Sequence, residues 1–424
     1  ENLESTDVPF GWIHNRRGPW LQSPLQYLSH WQRYLDLARH CTSIQPVVRD
    51  TKNMKHRYRV QEEIVTLAGW PTEVVSLVHN NDDTCTTSPT GTTSSTPRRN
   101  LVVIFVPGNP GCVGWYISFL QEIVQRLQQT SLGEQLLVTA RGVSHAGHSP
   151  QSLPSGVTTS ISWTLQGQME HKSAFVDWIL QDMGVTGTET NDPTTSPTQR
   201  PQFIFISHSI GSYIVERLLI ARPDILAHTI GVLHLMPFTR MQALPHDQAL
   251  LDWGSIRPEL LIRSTETMLG FLQFLPPFML HLGMRGMMDD PKDRELALQL
   301  IRRRPPFPRT FFTLGTEEIR TVPKKSDVTT LQMIASHCPM AMLYGDKDQW
   351  APKFHMTDLQ HLQQQGDIPS NISFKYRPDL RHDFVSYQRM VPVVMDWCCD
   401  TIQTILMTGT CAISSTSSSL RSKL

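Results

Sequence analysis

Short apolar runs rich in valine, isoleucine and phenylalanine recur along this chain, and helical stretches separate them. The runs read LVVIFVPG, LLVTARG, FIFISHS, TIGVLHLMP, MAMLYGD and ISFKYRPD. Continuous apolar strands that alternate with helices are typical of a parallel sheet buried on both faces. Ahead of them, YRVQEEIVTLAG and TEVVSLVHN around the turn GWP predict an antiparallel hairpin. The sequence therefore predicts an α/β fold whose mostly parallel sheet opens with an antiparallel hairpin.

The order of the runs predicts the division of the 424 residues. We expect an N-terminal extension at 1–55, a core formed by 56–236 and 340–408, and a flexible Ser-rich tail at 409–424. Residues 237–339 are rich in Leu, Met, Phe and Pro and follow the sixth predicted strand. An insertion at the carboxyl end of a strand lies over the ligand site in such folds, so this segment is predicted to be a helical lid.

Charge and motif content exclude several classes of protein. Lys+Arg and Asp+Glu are both 38, so no net field favours nucleic acid. The seven cysteines form no C-x-x-C pattern or Cys/His cluster, which argues against structural zinc. The loop PGNPGCVGWY lacks a Walker lysine and the G-x-G-x-x-G pattern. We therefore predict no nucleic-acid partner, no metal and no organic cofactor.

The segment SHSIG at 207–211 follows an apolar strand and opens a helical stretch. A serine on so sharp a strand-to-helix turn is typical of the nucleophile elbow, G-x-S-x-G. Gly211 occupies the second glycine position, where a helix passes close to a strand, whereas Ser207 replaces the first glycine and predicts some strain. By itself this pattern leaves Ser209 open as either a nucleophile or an ordinary serine at a strand end.

Two further residues complete a candidate triad in the order serine, acid, histidine. Asp348 follows the strand MAMLY, and His382 follows the strand ISFKY. Both lie just outside strand ends, where ligand-facing groups of α/β sheets collect. Asp346 is an alternative acid, with Asp348 then capping a helix. His208 is expected to point away from the site and pack beneath it.

A tetrahedral oxyanion needs two backbone donors close to the nucleophile. The N–H of Ile210, directly after the serine, is one candidate. The second is expected from the loop PGNPG, where proline cannot donate and Asn109 is the available N–H just beyond Gly108.

Six separated motifs appear in the order found in the lipid droplet-associated hydrolases, a branch of the α/β-hydrolases. They are FVPGNPGCVGWY, SHAGHS, SHSIGSY, LMPFTRMQALP, LYGDKDQWAP and RHDFV. The chain resembles this family over roughly residues 56–405. The resemblance implies an α/β-hydrolase fold and a serine hydrolase with the triad Ser209, Asp348 and His382. It also implies association with lipid droplets and action on sterol esters or other neutral lipids.

The lid agrees with a lipid substrate on physical grounds. Its segment 266–288 combines large flexible apolar side chains with few charges, and Met-rich surfaces adapt to acyl chains. Pro276 and Pro277 interrupt it, which favours a helical hairpin at a lipid droplet or membrane surface. Arg263 and Arg285 flank it. An inward-facing cap that never meets a membrane is the alternative.

The chain ends in Ser422, Lys423 and Leu424, a tripeptide typical of peroxisomal import signals. We therefore expect an intracellular protein, at lipid droplets by the resemblance or in peroxisomes through an import receptor that binds this tripeptide. Two other functions stay open: a lipid-surface binding protein of the same fold with weak or no catalysis, and a peroxisomal acyl-thioester hydrolase.

Overall fold

We describe the protein from a computed structural model. The residues it describes are 58–79, 98–130, 133, 135–149, 163–185, 201–243, 257–302, 307–346 and 348–421. The predicted N-terminal extension and the terminal tripeptide lie outside the described residues.

One eight-stranded sheet runs through the described chain, in the order β1-β2-β4-β3-β5-β6-β7-β8. The strands are β1 (Tyr58–Leu67), β2 (Trp70–His79), β3 (Arg99–Val106), β4 (Leu136–Val143), β5 (Gln202–His208), β6 (Thr229–Leu235), β7 (Met340–Tyr344) and β8 (Ile372–Tyr376). Strand β2 is antiparallel to β1 and to β4, and the other neighbours are parallel. The six apolar runs form β3 to β8, so the predicted fold class is confirmed.

The opening hairpin turns at Ala68 and Gly69, one residue before the predicted turn at 69–71 begins. Ala68 and Gly69 both have positive φ, 48° and 82°, as a two-residue type I′ turn requires. Trp70 and Pro71 therefore belong to β2, where Pro71 pairs with Thr66. The expected turn around GWP was wrong because the left-handed conformation of Ala68 and Gly69 closes the hairpin first.

Helices connect the strands and cover both faces of the sheet. They are α1 (Ile117–Gln128), α2 (Leu165–Asp182), α3 (Ile210–Ala221), α4 (Pro223–His228), α5 (Pro258–Leu272), α6 (Pro277–Met284), α7 (Pro291–Arg302), α8 (Phe307–Thr321), α9 (Val328–Ala335), α10 (Lys353–Gln365) and α11 (Val391–Arg421). Local signals set several ends: the Thr164 side chain caps α2, and Gly366, at φ 84°, ends α10. Helix α11 continues to Arg421, into the segment 409–424 where a flexible tail was predicted.

Helices α5 to α9 lie between β6 and β7, and we call residues 257–335 the cap. The helical structure is interrupted before Pro276–Pro277, between α5 and α6, as these prolines predicted. Leu280 and Met284 pack on Leu298 of α7.

Within the described residues, no helix combines the length and apolarity that crossing a membrane demands. The core of the molecule is instead the sheet, whose strands β3 and β5 are buried along nearly their whole length.

Candidate active site

Ser209 occupies the turn between β5 and α3. Its backbone is left-handed, with φ 53° and ψ −126°, which is strained for any residue other than glycine. Three backbone hydrogen bonds stabilise this conformation. The Ser209 N–H donates to Leu235 O at 3.0 Å, and Ser209 O accepts from the N–H groups of Ser212 at 3.0 Å and Phe238 at 3.1 Å. The hydroxyl is therefore fixed at the carboxyl end of the sheet, at the first turn of a helix.

Close backbone approaches on two sides of the elbow require glycine. A Cβ on Gly211 would lie 2.5 Å from the carbonyl oxygens of Val106 and Pro107, as its position in the motif predicted. A Cβ on Gly108 would lie 2.7 Å from the Ser209 Cβ. The loop after β3 is thus pressed directly against the serine.

Ser207, which replaces the first glycine of the elbow motif, has its own partners. Its Oγ lies 2.6 Å from His234 Nδ1 and donates to Ser212 Oγ at 3.2 Å. His234 Nε2 lies 3.5 Å from Glu216 Oε1. All four side chains are buried. The hydroxyl that the sequence predicted to cause strain instead joins a buried polar cluster behind the elbow, which offsets the cost of its burial.

The structure brings together the three side chains predicted as a triad. His382 Nε2 lies 2.8 Å from Ser209 Oγ, and His382 Nδ1 lies 2.7 Å from Asp348 Oδ2. Ser209 and Asp348 are 7% and 3% exposed, so water competes little for these hydrogen bonds. The imidazole therefore bridges a hydroxyl and a carboxylate in the geometry of a nucleophile, a base and an orienting acid.

Asp348 is the acid that faces His382, and Asp346 is not. Asp346 accepts a hydrogen bond from the Tyr376 hydroxyl at 2.9 Å. Asp348 Oδ1 accepts from the backbone N–H groups of Trp350 and Ala351, so this residue also fills the capping role that the alternative gave it. Burial alone would raise the pKa of the Asp348 carboxyl, but His382 and these two donors outweigh it and lower that pKa below its ordinary value. The carboxylate is therefore held in its charged form.

The predicted oxyanion donors lie on either side of Ser209. Ile210 is the first residue of α3, where backbone N–H groups have no partner within the helix. Asn109 follows Gly108 in the loop after β3, and its side chain donates to Phe311 O at 3.1 Å. Its backbone N–H stays a prediction as the second donor.

Helix α8 of the cap packs on this oxyanion loop. Glu318 is buried and hydrogen-bonds the Asn109 side chain. Burial raises the pKa of Glu318 to about 8, although the hydrogen bond from Asn109 opposes the shift. At neutral pH Glu318 is therefore mostly a neutral carboxylic acid. Its partner Asn109 directly follows Gly108, the glycine that lies against Ser209.

The prediction for His208 was right about the face of the strand but wrong about the contacts of its ring. Its ring does not pack beneath the elbow, since its Nε2 lies 2.8 Å from the backbone carbonyl of His382 and its Nδ1 lies 2.8 Å from the Tyr116 hydroxyl. Strand alternation does place His208 on the opposite face from Ser209, but the turn Val113–Tyr116 and the loop of His382 cover that face. Tyr116 ends the motif FVPGNPGCVGWY, but the sequence analysis assigned it no role because nothing in the motif shows that it reaches His208.

A second buried network supports the oxyanion loop from below. Two residues of the segment SHAGHS belong to it. Ser144 donates to Glu73 Oε2 at 2.9 Å and accepts from the Val113 N–H. His148 accepts from the Gly111 N–H at 3.0 Å. Lys172 donates to Ser144 O at 3.2 Å, and burial lowers the pKa of this amine well below its ordinary value.

Across the described chain, no group of three or more His, Cys, Asp or Glu side chains is arranged to hold a metal ion.

A mostly parallel sheet in this strand order, with a strained serine after its fifth strand and an acid and a histidine after its seventh and eighth, defines an α/β-hydrolase. Within that class, a model of the lipid-droplet associated hydrolases matches residues 99–385. Because the match covers more than half of the sequence, the chain belongs to this family of hydrolases.

The chain is also similar to individual proteins. It is 23% identical to the lipid droplet-associated hydrolase of Homo sapiens over 373 residues, which covers 81% of this chain and 96% of the human protein. It is 22% identical to the protein of that name from Dictyostelium discoideum, over 72% of this chain and 90% of the relative. Among solved structures, the peroxisomal alpha-beta-hydrolase Lpx1 of Saccharomyces cerevisiae aligns at 11% identity and TM-score 0.45, over 83% of this chain and 91% of that chain.

Proposed function

We propose that the protein is a serine hydrolase that cleaves carboxylic esters of hydrophobic lipids through an acyl-enzyme. The observation that carries this proposal is the position of the His382 imidazole between Ser209 and Asp348. Family membership supports a hydrolase that associates with lipid droplets, and sterol esters or other neutral lipids are the substrate class that we propose.

In the proposed reaction, Ser209 Oγ attacks the acyl carbonyl while its proton passes to His382 Nε2. The carbonyl π electrons move to oxygen, and the oxyanion is bound by the N–H groups of Ile210 and Asn109. When the intermediate collapses, the C–O bond to the alcohol breaks and His382 returns the proton to the leaving oxygen. Water then repeats the sequence on the acyl-enzyme and releases the acid, and Asp348 stabilises the imidazolium in both halves.

A fluorophosphonate probe tests the nucleophile. The intact protein should become labelled covalently, and Ser209→Ala should abolish labelling. Ser264→Ala, which removes a serine from helix α5 of the cap, is the matched control and should label like the unsubstituted protein. Absence of labelling in the intact protein, or labelling that survives Ser209→Ala, would favour the alternative of a lipid-binding protein without turnover.

The choice of acid is tested by a matched pair of substitutions. Asp348→Asn keeps the shape of the side chain but no longer holds the imidazole tautomer, so hydrolysis of a soluble ester should fall about 10³–10⁴-fold. Asp346→Asn should cost less than about tenfold, because its contact is with Tyr376. Equal losses would contradict the assignment.

We further propose that the exposed face of α5 and α6 binds a lipid droplet surface. Phe271, Phe274 and Phe278 are 70%, 84% and 68% exposed, and Leu282 beside them is 61% exposed. An apolar patch of this size on one face is typical of a surface that contacts lipid or another protein. Membership of a lipid-droplet associated family favours lipid.

Binding to triolein droplets coated with phosphatidylcholine tests this face. Replacing Phe271, Phe274 and Phe278 together by Ser should weaken binding by more than about tenfold, since each buried phenyl contributes about 1.5–3 kcal/mol. Ile64→Ser with Met333→Ser removes apolar side chains exposed elsewhere, at 43% and 46%, and is the control. Turnover of a soluble ester should stay unchanged in both. Equal droplet binding by the two variants would overturn this part of the proposal.

Peroxisomal import through Ser422–Leu424 stays a prediction outside the described residues.

A further inference from the structure

A buried chain of hydrogen bonds lies beside the candidate triad and contains none of its side chains. The Tyr116 hydroxyl lies 2.8 Å from His208 Nδ1, and His208 Nε2 lies 2.8 Å from the backbone carbonyl of His382. The backbone of Gly108 hydrogen-bonds the Tyr116 oxygen at the other end. Tyr116 and His208 are 3% and 5% exposed.

Each proton in this chain has one possible place. The carbonyl of His382 can only accept, so His208 Nε2 carries a hydrogen. Burial, followed by the nearby charge of His382, lowers the pKa of His208 to about 3, so its ring is neutral and Nδ1 has a lone pair. Tyr116 must therefore donate to Nδ1, and the Gly108 N–H donates to the phenol oxygen. The direction runs from Gly108 through Tyr116 and His208 to His382.

Three members of this chain belong to the three segments that form the site. Gly108 precedes Asn109 in the oxyanion loop, His208 precedes the nucleophile, and the last member is the backbone carbonyl of His382 itself. A Cβ on Gly108 would lie 3.1 Å from His208 Nδ1, so the loop and the ring are in direct contact. Phe384 packs edge-on against His208, with ring centroids 5.4 Å apart, and closes the group from the side.

We propose that His208 and Tyr116 are positioning residues, which hold the oxyanion loop and the backbone of His382 in register with Ser209. The inference rests on the proposed serine hydrolase function. Fixing the His382 carbonyl fixes the position from which the imidazole reaches the Ser209 hydroxyl. Proton transfer and attack are sensitive to displacements of about 1 Å, so a residue that touches no substrate can control the rate through this carbonyl.

Substitutions of His208 separate hydrogen bonding from packing. His208→Leu keeps an apolar volume but neither hydrogen bond, and kcat for a soluble ester should fall about 100-fold with KM changed less than about threefold. His208→Gln can donate to the His382 carbonyl and accept from Tyr116, so it should restore kcat to within about tenfold of the unsubstituted protein. If the two variants were equally impaired, a purely structural role would replace the proposal.

Tyr116→Phe removes one hydroxyl and should lower kcat about tenfold, because His208 loses the donor that fixes its tautomer. Tyr58→Phe is the matched control, since its hydroxyl donates to Gln128 at the end of α1 and belongs to neither the triad nor this chain of hydrogen bonds, and kcat should not change. Combined with His208→Leu, Tyr116→Phe should lower kcat by much less than tenfold, because His208→Leu has already broken the hydrogen-bonded chain. Additive losses, or equal effects of the two tyrosine variants, would contradict the chain.

A spectroscopic readout keeps this test separate from that of the proposed function. In protein labelled with ¹⁵N-histidine, His208 should show the neutral Nε2–H tautomer from about pH 5 to 9 without titrating. Titration of His208 in that range, or the Nδ1–H tautomer, would overturn the geometry whether or not the protein hydrolyses esters. Conversely, absence of fluorophosphonate labelling with the expected tautomer would reject the hydrolase and leave the hydrogen-bonded chain intact.

Discussion

The sheet and the face of the cap place phenylalanine in opposite environments. In β5, Phe203 and Phe205 are fully buried, whereas Phe274 and Phe278 at the junction of α5 and α6 are 84% and 68% exposed. Burying a phenyl side chain stabilises a fold by about 1.5–3 kcal/mol, and an exposed one contributes almost none of this. The comparison teaches that these exposed phenylalanines of the cap do not stabilise the fold in water, which leaves them available to a second apolar phase.

A pair of identical substitutions measures this difference most directly. Phe203→Ala should lower the free energy of unfolding by about 3–5 kcal/mol, because it opens a cavity in a closed core. Phe274→Ala should change it by less than about 0.5 kcal/mol. Urea unfolding followed by tryptophan fluorescence gives both values. Similar losses from the two variants would mean that the cap face is part of the folded core in solution.

Substitutions of Ser207 at the elbow measure how much buried polar contacts at the end of the sheet contribute to the free energy of unfolding. Ser207→Gly restores the usual motif but leaves the buried His234 Nδ1 without its partner, so the free energy of unfolding should fall by about 1–3 kcal/mol. Ser207→Ala removes the same hydroxyl without adding backbone freedom and should lose slightly less. A glycine variant as stable as the original protein would show that the polar cluster contributes nothing.

Glu318 of the cap contacts Asn109 of the loop after β3, and its buried carboxyl should make the free energy of unfolding depend on pH. Its folded pKa of about 8 is raised above the ordinary 4.5, so its contribution to stability is complete below about pH 4.5 and is lost as the pH rises toward 8. Unfolding free energy should fall by about 1 kcal/mol per pH unit from this group in that window. Glu318→Gln should remove that slope, as seen in urea midpoints at pH 5, 6.5 and 8, with Glu317→Gln as the control. Parallel pH profiles for Glu318→Gln and the original protein would contradict the buried, protonated carboxyl.

The smallest effect is expected beside the triad. Asp383 follows His382 directly, but its ion pair with Arg381 is open to water, at 47% and 34% side-chain exposure. Asp383→Ala should change the free energy of unfolding by less than about 0.5 kcal/mol, because exposed pairs contribute little. Turnover of a soluble ester should stay within about twofold. A large loss would move Asp383 from the solvated surface into the site.

The sequence predicted the sheet and the triad positions because each depends on local signals. Strands β3 to β8 are continuous apolar runs, and Ser209, Asp348 and His382 stand directly after three of them, at the edge where carboxyl ends of parallel strands meet. It did not distinguish Asp348 from Asp346, since both follow β7 and only their contacts separate them: Asp348 lies against His382, and Asp346 accepts from Tyr376.

What the sequence could not give was the identity of distant neighbours. Alternation placed His208 on one face of β5, but Tyr116, which covers that face, lies 92 residues earlier. Helical periodicity likewise left the cap helices with two possible orientations. In the structure α6 has both, with Leu280 packed on α7 and Phe278 exposed.

The position of the cap between β6 and β7 fixes the order in which a ribosome delivers the parts of the molecule. Helices α5 and α6 emerge before β7 and β8, and so before Asp348 and His382 exist in the nascent chain. At about 5–20 residues per second, roughly 5–20 s separate the end of α6 from His382. In the first part of that interval the exposed apolar face of α5 and α6 has been synthesised while β7 and β8 have not, so this face is available to a chaperone or a bilayer before the sheet is complete.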